Sequence, residues 1–115
     1  MTLTKVKLAS PLFILRYSCE KDLFAVLARI KALGFDGVEF LGFFGKKPIE
    51  IKRKLDEIGL IATGNHVDYL SFLEHVNATI EDHLAIGCRY ITIGGLSKQQ
   101  AEDPAALTAF IVNVT

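Results

Sequence analysis

The chain has few cysteines, no excess of either charge and no long apolar run, and each shortage removes a class of protein. Two cysteines, Cys19 and Cys88, are too few for a disulfide framework in 115 residues. A reducing, cytoplasmic setting is therefore expected, with Cys88 acting as a small hydrophobe in an apolar stretch. Thirteen basic residues balance thirteen acidic ones, so no global field draws in nucleic acid or an anionic membrane. The partner expected is a small molecule or a protein. No apolar run approaches the roughly 18 residues a membrane span needs, and residues 1–10 lack the apolar core of a signal peptide. Low-complexity and linker-like stretches are also missing, so residues 1–115 read as a single domain.

What is present is a repeat. Ala32-Leu33-Gly34-Phe35, Glu57-Ile58-Gly59-Leu60 and Ala85-Ile86-Gly87-Cys88 each follow a helical pattern and precede a strand pattern, with glycines 25 and then 28 residues apart. That interval holds one helix, one strand and two short loops, the rhythm of a parallel α/β protein. A first strand is expected over residues 11–17, and a helix over 21–33 with Leu23, Val26, Leu27, Ile30 and Leu33 on its apolar side. The second strand is Gly37-Val38-Glu39-Phe40-Leu41. Its helix opens at Pro48, buries Ile51, Leu55 and Ile58, and turns Lys52, Arg53, Lys54, Asp56 and Glu57 to solvent. A third strand covers residues 60–67. The third helix, over 71–86 with Asp68 or Ser71 as its cap, turns Phe72, Val76, Ile80 and Leu84 inward. After a fourth strand, 89–93, Asp103-Pro104 opens an amphipathic fourth helix carrying Leu107, Phe110, Ile111 and Val114.

Four parallel βα units suit either a small open sheet or half of an eight-stranded barrel. Leu15-Arg16-Tyr17-Ser18, then Gly34-Phe35-Asp36-Gly37-Val38-Glu39-Phe40, Gly42-Phe43-Phe44-Gly45, Thr63-Gly64-Asn65-His66-Val67 and Ile86-Gly87-Cys88-Arg89-Tyr90-Ile91 resemble the sugar phosphate isomerase/epimerase family. The resemblance implies the N-terminal half of a xylose-isomerase-like (β/α)8 TIM barrel, truncated at its C-terminus within the fourth unit. It also implies metal-assisted proton transfer on a sugar or polyol, with the metal ligands and the acid/base pair on later strands. No cofactor is then expected within this chain, a divalent metal being expected only of the full-length family barrel. The isolated chain should be inactive and should pair as a homodimer or with its missing C-terminal half. Glu20 stands where many relatives carry an arginine. The alternative is a non-catalytic small α/β binding or assembly module, but the loop Ser18-Cys19-Glu20-Lys21-Asp22 lacks the glycines of a phosphate loop.

Barrel chemistry sits at the C-terminal ends of strands, which selects the candidate substrate-binding residues His66, Glu39, Tyr17 and Asn65. His66 can serve a substrate hydroxyl or be satisfied by backbone; three metal donors are not at hand around it. Glu39 interrupts an apolar strand, so it either faces a polar cavity or pairs with Arg16 or Arg89. Tyr17 and Asn65 suit hydrogen bonds to a polyol, and equally the packing of strand ends. Phe40, Phe43 and Phe44 fit a wall beside a sugar ring or the core. Gly94-Gly95 reads as a plain turn. His75 and His83 read as surface residues of the third helix.

Overall fold

The computed structural model describes residues 6–94 and 97–114, and the side chains of all of these but 113 and 114. Strands β1 (Ala9–Pro11), β2 (Gly37–Leu41), β3 (Ile61–Val67) and β4 (Ile91–Ile93) form one sheet in the order β1-β2-β3-β4. Every pairing is parallel. Helices α1 (Arg16–Ala32), α2 (Pro48–Ile58), α3 (Tyr69–Glu74) and α4 (Val76–Ala85) occupy the connections, and α5 (Lys98–Glu102) and α6 (Pro104–Val114) follow β4. This is the expected α/β chain of four parallel βα units. Sequential order means that each crossover places its strand beside the last one on the same side, without the reversal that defines a doubly wound sheet.

The three repeated glycines have one conformational job. Gly34, Gly59 and Gly87 take φ of 97°, 72° and 72°, the left-handed region that costs a residue with a Cβ about 1 kcal/mol or more. In each case the amide after the glycine returns to the helix: Phe35 to the Ile30 carbonyl, Leu60 to Leu55 and Cys88 to His83. These are the long bonds of a Schellman turn, so the repeat in the sequence is a repeated helix stop.

One face of the sheet is packed. Val38 and Phe40 of β2 are fully buried among Leu23, Leu27 and Ile30 of α1 and Ile51 and Leu55 of α2. Burying side chains of this size contributes about 1.5–3 kcal/mol each. The charges of α2 lie outside, with Lys52 paired to Asp56 at 2.9 Å. The other face carries Glu39 and Leu41, both half-buried, and Ile61 and Thr63, both exposed.

Several local expectations need correction, Leu33 among them, which lies 66% exposed at the C-cap of α1. Residues 11–17 are not a strand: β1 ends at Pro11, Leu12–Leu15 is a 3-10 turn, and Arg16 and Tyr17 begin α1. The apolar run Leu12-Phe13-Ile14-Leu15 was ambiguous between a buried strand and a helical turn. Only Leu12 of it is buried, while Phe13 and Ile14 face outward. Within α1, Asp22 leaves helical geometry (φ −160°, ψ 88°) and its Oδ1 accepts the Ala25 amide at 3.1 Å, so the packed helix starts near the expected residue after one extra turn.

The third helix is two helices, broken at His75 (φ −133°, ψ 42°). Asp68 caps the first, accepting the Ser71 amide at 3.0 Å. The second turns His83 inward, 3% exposed, with Ile86 buried beyond it, while Val76, Ile80 and Leu84 lie on the exposed side. Apolar residues line more than one side of α4, so spacing alone did not choose the packed side. The fourth strand is shorter than expected. Cys88 precedes it, buried in the core as a small hydrophobe.

In the last segment the Asp103 Oδ1 accepts the Ala105 amide at 3.0 Å, as its capping role requires. Leu107 and Ile111 are exposed and Phe110 packs edge-on against the ring of Tyr69, centroids 4.9 Å apart. The side chain of Val114 and the position of Gly95 lie outside the described residues. Helix α5, capped by Ser97 and Gln100 in reciprocal hydrogen bonds, was not anticipated.

Candidate functional site

An irregularity in β3 builds the site. Val38 pairs with Ala62 and the next residue, Glu39, pairs with Gly64, so Thr63 is the extra residue of a bulge. Uninterrupted alternation from Ala62 would send Asn65 to the open face and His66 to the helix face. The extra residue reverses the phase beyond it, and the two side chains change places.

His66 thereby joins Glu39 on the open face. Its Nε2 lies 2.8 Å from Glu39 Oε1, with the side chains 37% and 42% exposed. Glu39 has therefore found a neighbour on β3, and neither Arg16 nor Arg89 is its partner. Arg16 instead donates from Nη1 to the Phe13 carbonyl at 2.8 Å and lies over the rings of Phe13 and Tyr17. The pair sits at the wall of a cavity of about 590 Å³, lined by Pro11, Phe13, Phe40, Leu41, Val67, Asp68 and Gly94 in addition to Glu39 and His66. Such a volume holds a small molecule.

Asn65 has a different job. It is 1% exposed on the helix side, where Oδ1 accepts the Gly42 amide at 2.8 Å and Nδ2 lies 3.0 Å from His83 Nε2. The amide NH2 is the donor in the second contact, so Nε2 accepts. His83 Nδ1 then donates to the Thr79 carbonyl at 2.6 Å. This chain of bonds ties the loop after β2 to α4 through β3 and uses the polar atoms of both side chains. His83, expected at the surface, is its buried link, and the ring of Phe43 packs 5.6 Å from it.

Tyr17 is also apart from the pair. It lies on α1, 66% exposed, and its hydroxyl accepts from Arg16 Nη2 at 3.4 Å. Phe40 is core, and Phe43 and Phe44 pack against the core. His75 is exposed beside Glu74.

Two cavity residues escaped the sequence reading. Asp68 was expected only as a cap, and it both caps α3 and lines the cavity. Phe13, in the segment expected as a strand, lies two residues beyond the true strand end, at the cavity rim. Pro11 did not signal it, because proline is accepted at a strand start as well as on an edge strand such as β1.

Among the described residues no three His, Cys, Asp or Glu side chains converge as a metal-binding group. Glu39 and His66 are two donors committed to each other, so the residues present do not by themselves fit the divalent metal that the family resemblance implies. Both cysteines are free and buried, and burial pushes their thiols above the ordinary range. Among the described residues no helix is long and apolar enough to cross a membrane. No family model matches the chain, and no curated protein matches it significantly.

Proposed function

We propose that this chain is the N-terminal half of a sugar or polyol isomerase/epimerase-like barrel, binding a small polyhydroxylated molecule at the Glu39–His66 wall. The observation that carries the reading is that pair: two polar side chains 2.8 Å apart, near the C-terminal ends of adjacent parallel strands, on the face turned away from the helices. Substrates of barrel enzymes meet that end. A carboxylate and an imidazole suit hydroxyl groups, which both donate and accept.

Two further features support a barrel over a closed small sheet. The strand order runs β1-β2-β3-β4 without reversal. Beside β4, Ile80, Leu84, Arg89 and Ile91 line an open groove of about 460 Å³, while α6, the helix that follows β4, lies against Tyr69 of α3. Further units, from a continuation of the chain or from a second copy, would cover that groove and pair the outer edge of β4. The acid/base groups of an isomerase would come with them, so this chain alone is inactive. The two free cysteines favour a reducing, cytoplasmic setting.

The test is a titration of isotope-labelled chain with myo-inositol and with fructose, followed by amide NMR, together with its mass by light scattering. Shifts confined to residues 39–41, 66–68 and 94, from a dimer or larger species, are expected. A monomer whose amides respond to neither ligand would refute the reading in favour of a non-catalytic module. Turnover of either ligand by this chain with added divalent metal would refute its inactivity.

A further inference from the structure

We infer that Glu39 is a positioning residue which holds His66 with its proton on Nε2, so that Nδ1 faces the cavity as a hydrogen-bond acceptor, and that the cavity therefore takes a neutral or cationic group bearing O–H or N–H and disfavours an anionic one. The ligand class deepens the polyol reading and rests on it; the orientation of His66 does not.

His66 Nε2 and Glu39 Oε1 lie 2.8 Å apart. An ionised carboxylate only accepts, so the ring must donate from Nε2, and the other nitrogen of a neutral imidazole then carries a lone pair. The position of that nitrogen is given by Gly94: a Cβ built there would come 4.0 Å from His66 Nδ1. Gly94 and His66 both line the cavity, so the acceptor nitrogen is turned toward the β4 end of it. A hydroxyl or ammonium group entering there finds a lone pair on a ring whose other nitrogen is held by Glu39.

Charge points the same way. Glu39 and Asp68 line the cavity, and among the described lining residues there is no lysine or arginine. Arg16, stacked over the Phe13 ring with its centre 4.3 Å from the centroid, is bonded to the Phe13 carbonyl. A phosphate or carboxylate at this wall would meet two carboxylates and an acceptor nitrogen, with no lysine or arginine among the described lining residues. Like charges repel within a shared cavity, although the half-exposed Glu39 and the exposed Asp68 leave part of that repulsion screened.

The experiment is long-range proton–nitrogen NMR on the histidine-labelled full chain, at a pH where the imidazole is neutral, followed by titration with inositol and with inositol monophosphate. His66 should show the Nε2–H form in the absence of any ligand, and Glu39→Ala should return it toward a mixture of the two forms. Inositol monophosphate should bind roughly tenfold more weakly than inositol, and the gap should narrow in Asp68→Asn, which keeps a capping side chain. A proton on Nδ1, or a phosphate bound as tightly as the neutral polyol, would overturn the inference. With the Nε2–H form found and no ligand bound, the orientation of His66 is supported and the ligand class falls with the polyol reading. With inositol bound and the proton on Nδ1, the inference fails alone.

Discussion

Replacing Asn65 by alanine should destabilise the fold by about 2–5 kcal/mol, because one buried and one half-buried partner lose their hydrogen bonds at once. The Gly42 amide donates to Asn65 Oδ1 at 2.8 Å, and His83 Nε2, on a residue 3% exposed, is 3.0 Å from Asn65 Nδ2. Each group left without a partner costs about 1–3 kcal/mol, the half-buried amide at the lower end because water can reach it. A domain of 115 residues is expected to have about 6–17 kcal/mol of stability in all. The variant should therefore still fold, with a clearly lowered urea midpoint and an unchanged slope, read by far-UV circular dichroism. His83→Phe should cost a similar amount by stranding Asn65 Nδ2. The double variant Asn65→Leu with His83→Phe should cost less than the sum of its two single changes, since both members of the buried contact are then apolar. A loss below about 0.5 kcal/mol for Asn65→Ala, the range of ordinary surface changes, would refute the reasoning and return Asn65 to the open face.

Two other outcomes follow from the packing. Gly37→Ala should destabilise by about 1–3 kcal/mol in the same denaturation assay, since the new methyl would lie 2.7 Å from Thr63 Cγ2 and 2.8 Å from the backbone oxygen of Ile61; no loss would mean that β2 and β3 are not paired in this register. Burial raises the thiol pKa of Cys19 and of Cys88, the latter partly offset by a backbone hydrogen bond with Tyr90. The unfolded chain therefore ionises first, and the stability contributed by the neutral thiols is present below the ordinary thiol pKa and lost as pH rises through it toward the folded values. Stability measured by urea unfolding should fall in that alkaline window, and less so in the double variant Cys19→Ala with Cys88→Ala; equal slopes would contradict the assignment.

Much of the architecture was legible because its signals are local. Gly34, Gly59 and Gly87 end helices through their own backbone freedom, Pro48 opens α2 at a position where its missing N–H costs nothing, and the α2 pattern of Ile51 and Leu55 against charge needs no distant contact to be read. Elsewhere two local solutions were nearly equal. Leu12–Leu15 is apolar enough for a strand or a turn, and the apolar residues of α4 permitted more than one packed side. In the second case the buried amide of Asn65 needed a partner, and His83 on one side of α4 met that need.

The candidate site divides in the same way. Glu39 and His66 were selected because polar residues near the ends of apolar strands are costly unless they have somewhere to go, and that inference requires only composition and order. Their meeting required the bulge at Thr63, which trades the faces of Asn65 and His66. Nothing in Thr63-Gly64 announces it, because a bulge belongs to the pairing of two strands and not to either alone. The amino-acid order by itself thus determined the βα rhythm, the helix stops and the identity of the polar strand-end residues, all governed by short-range sterics and periodicity. Register, the packed side of α4 and which side chains share a face were decided only in the tertiary structure, where residues distant in sequence compete for the same space and the same hydrogen bonds.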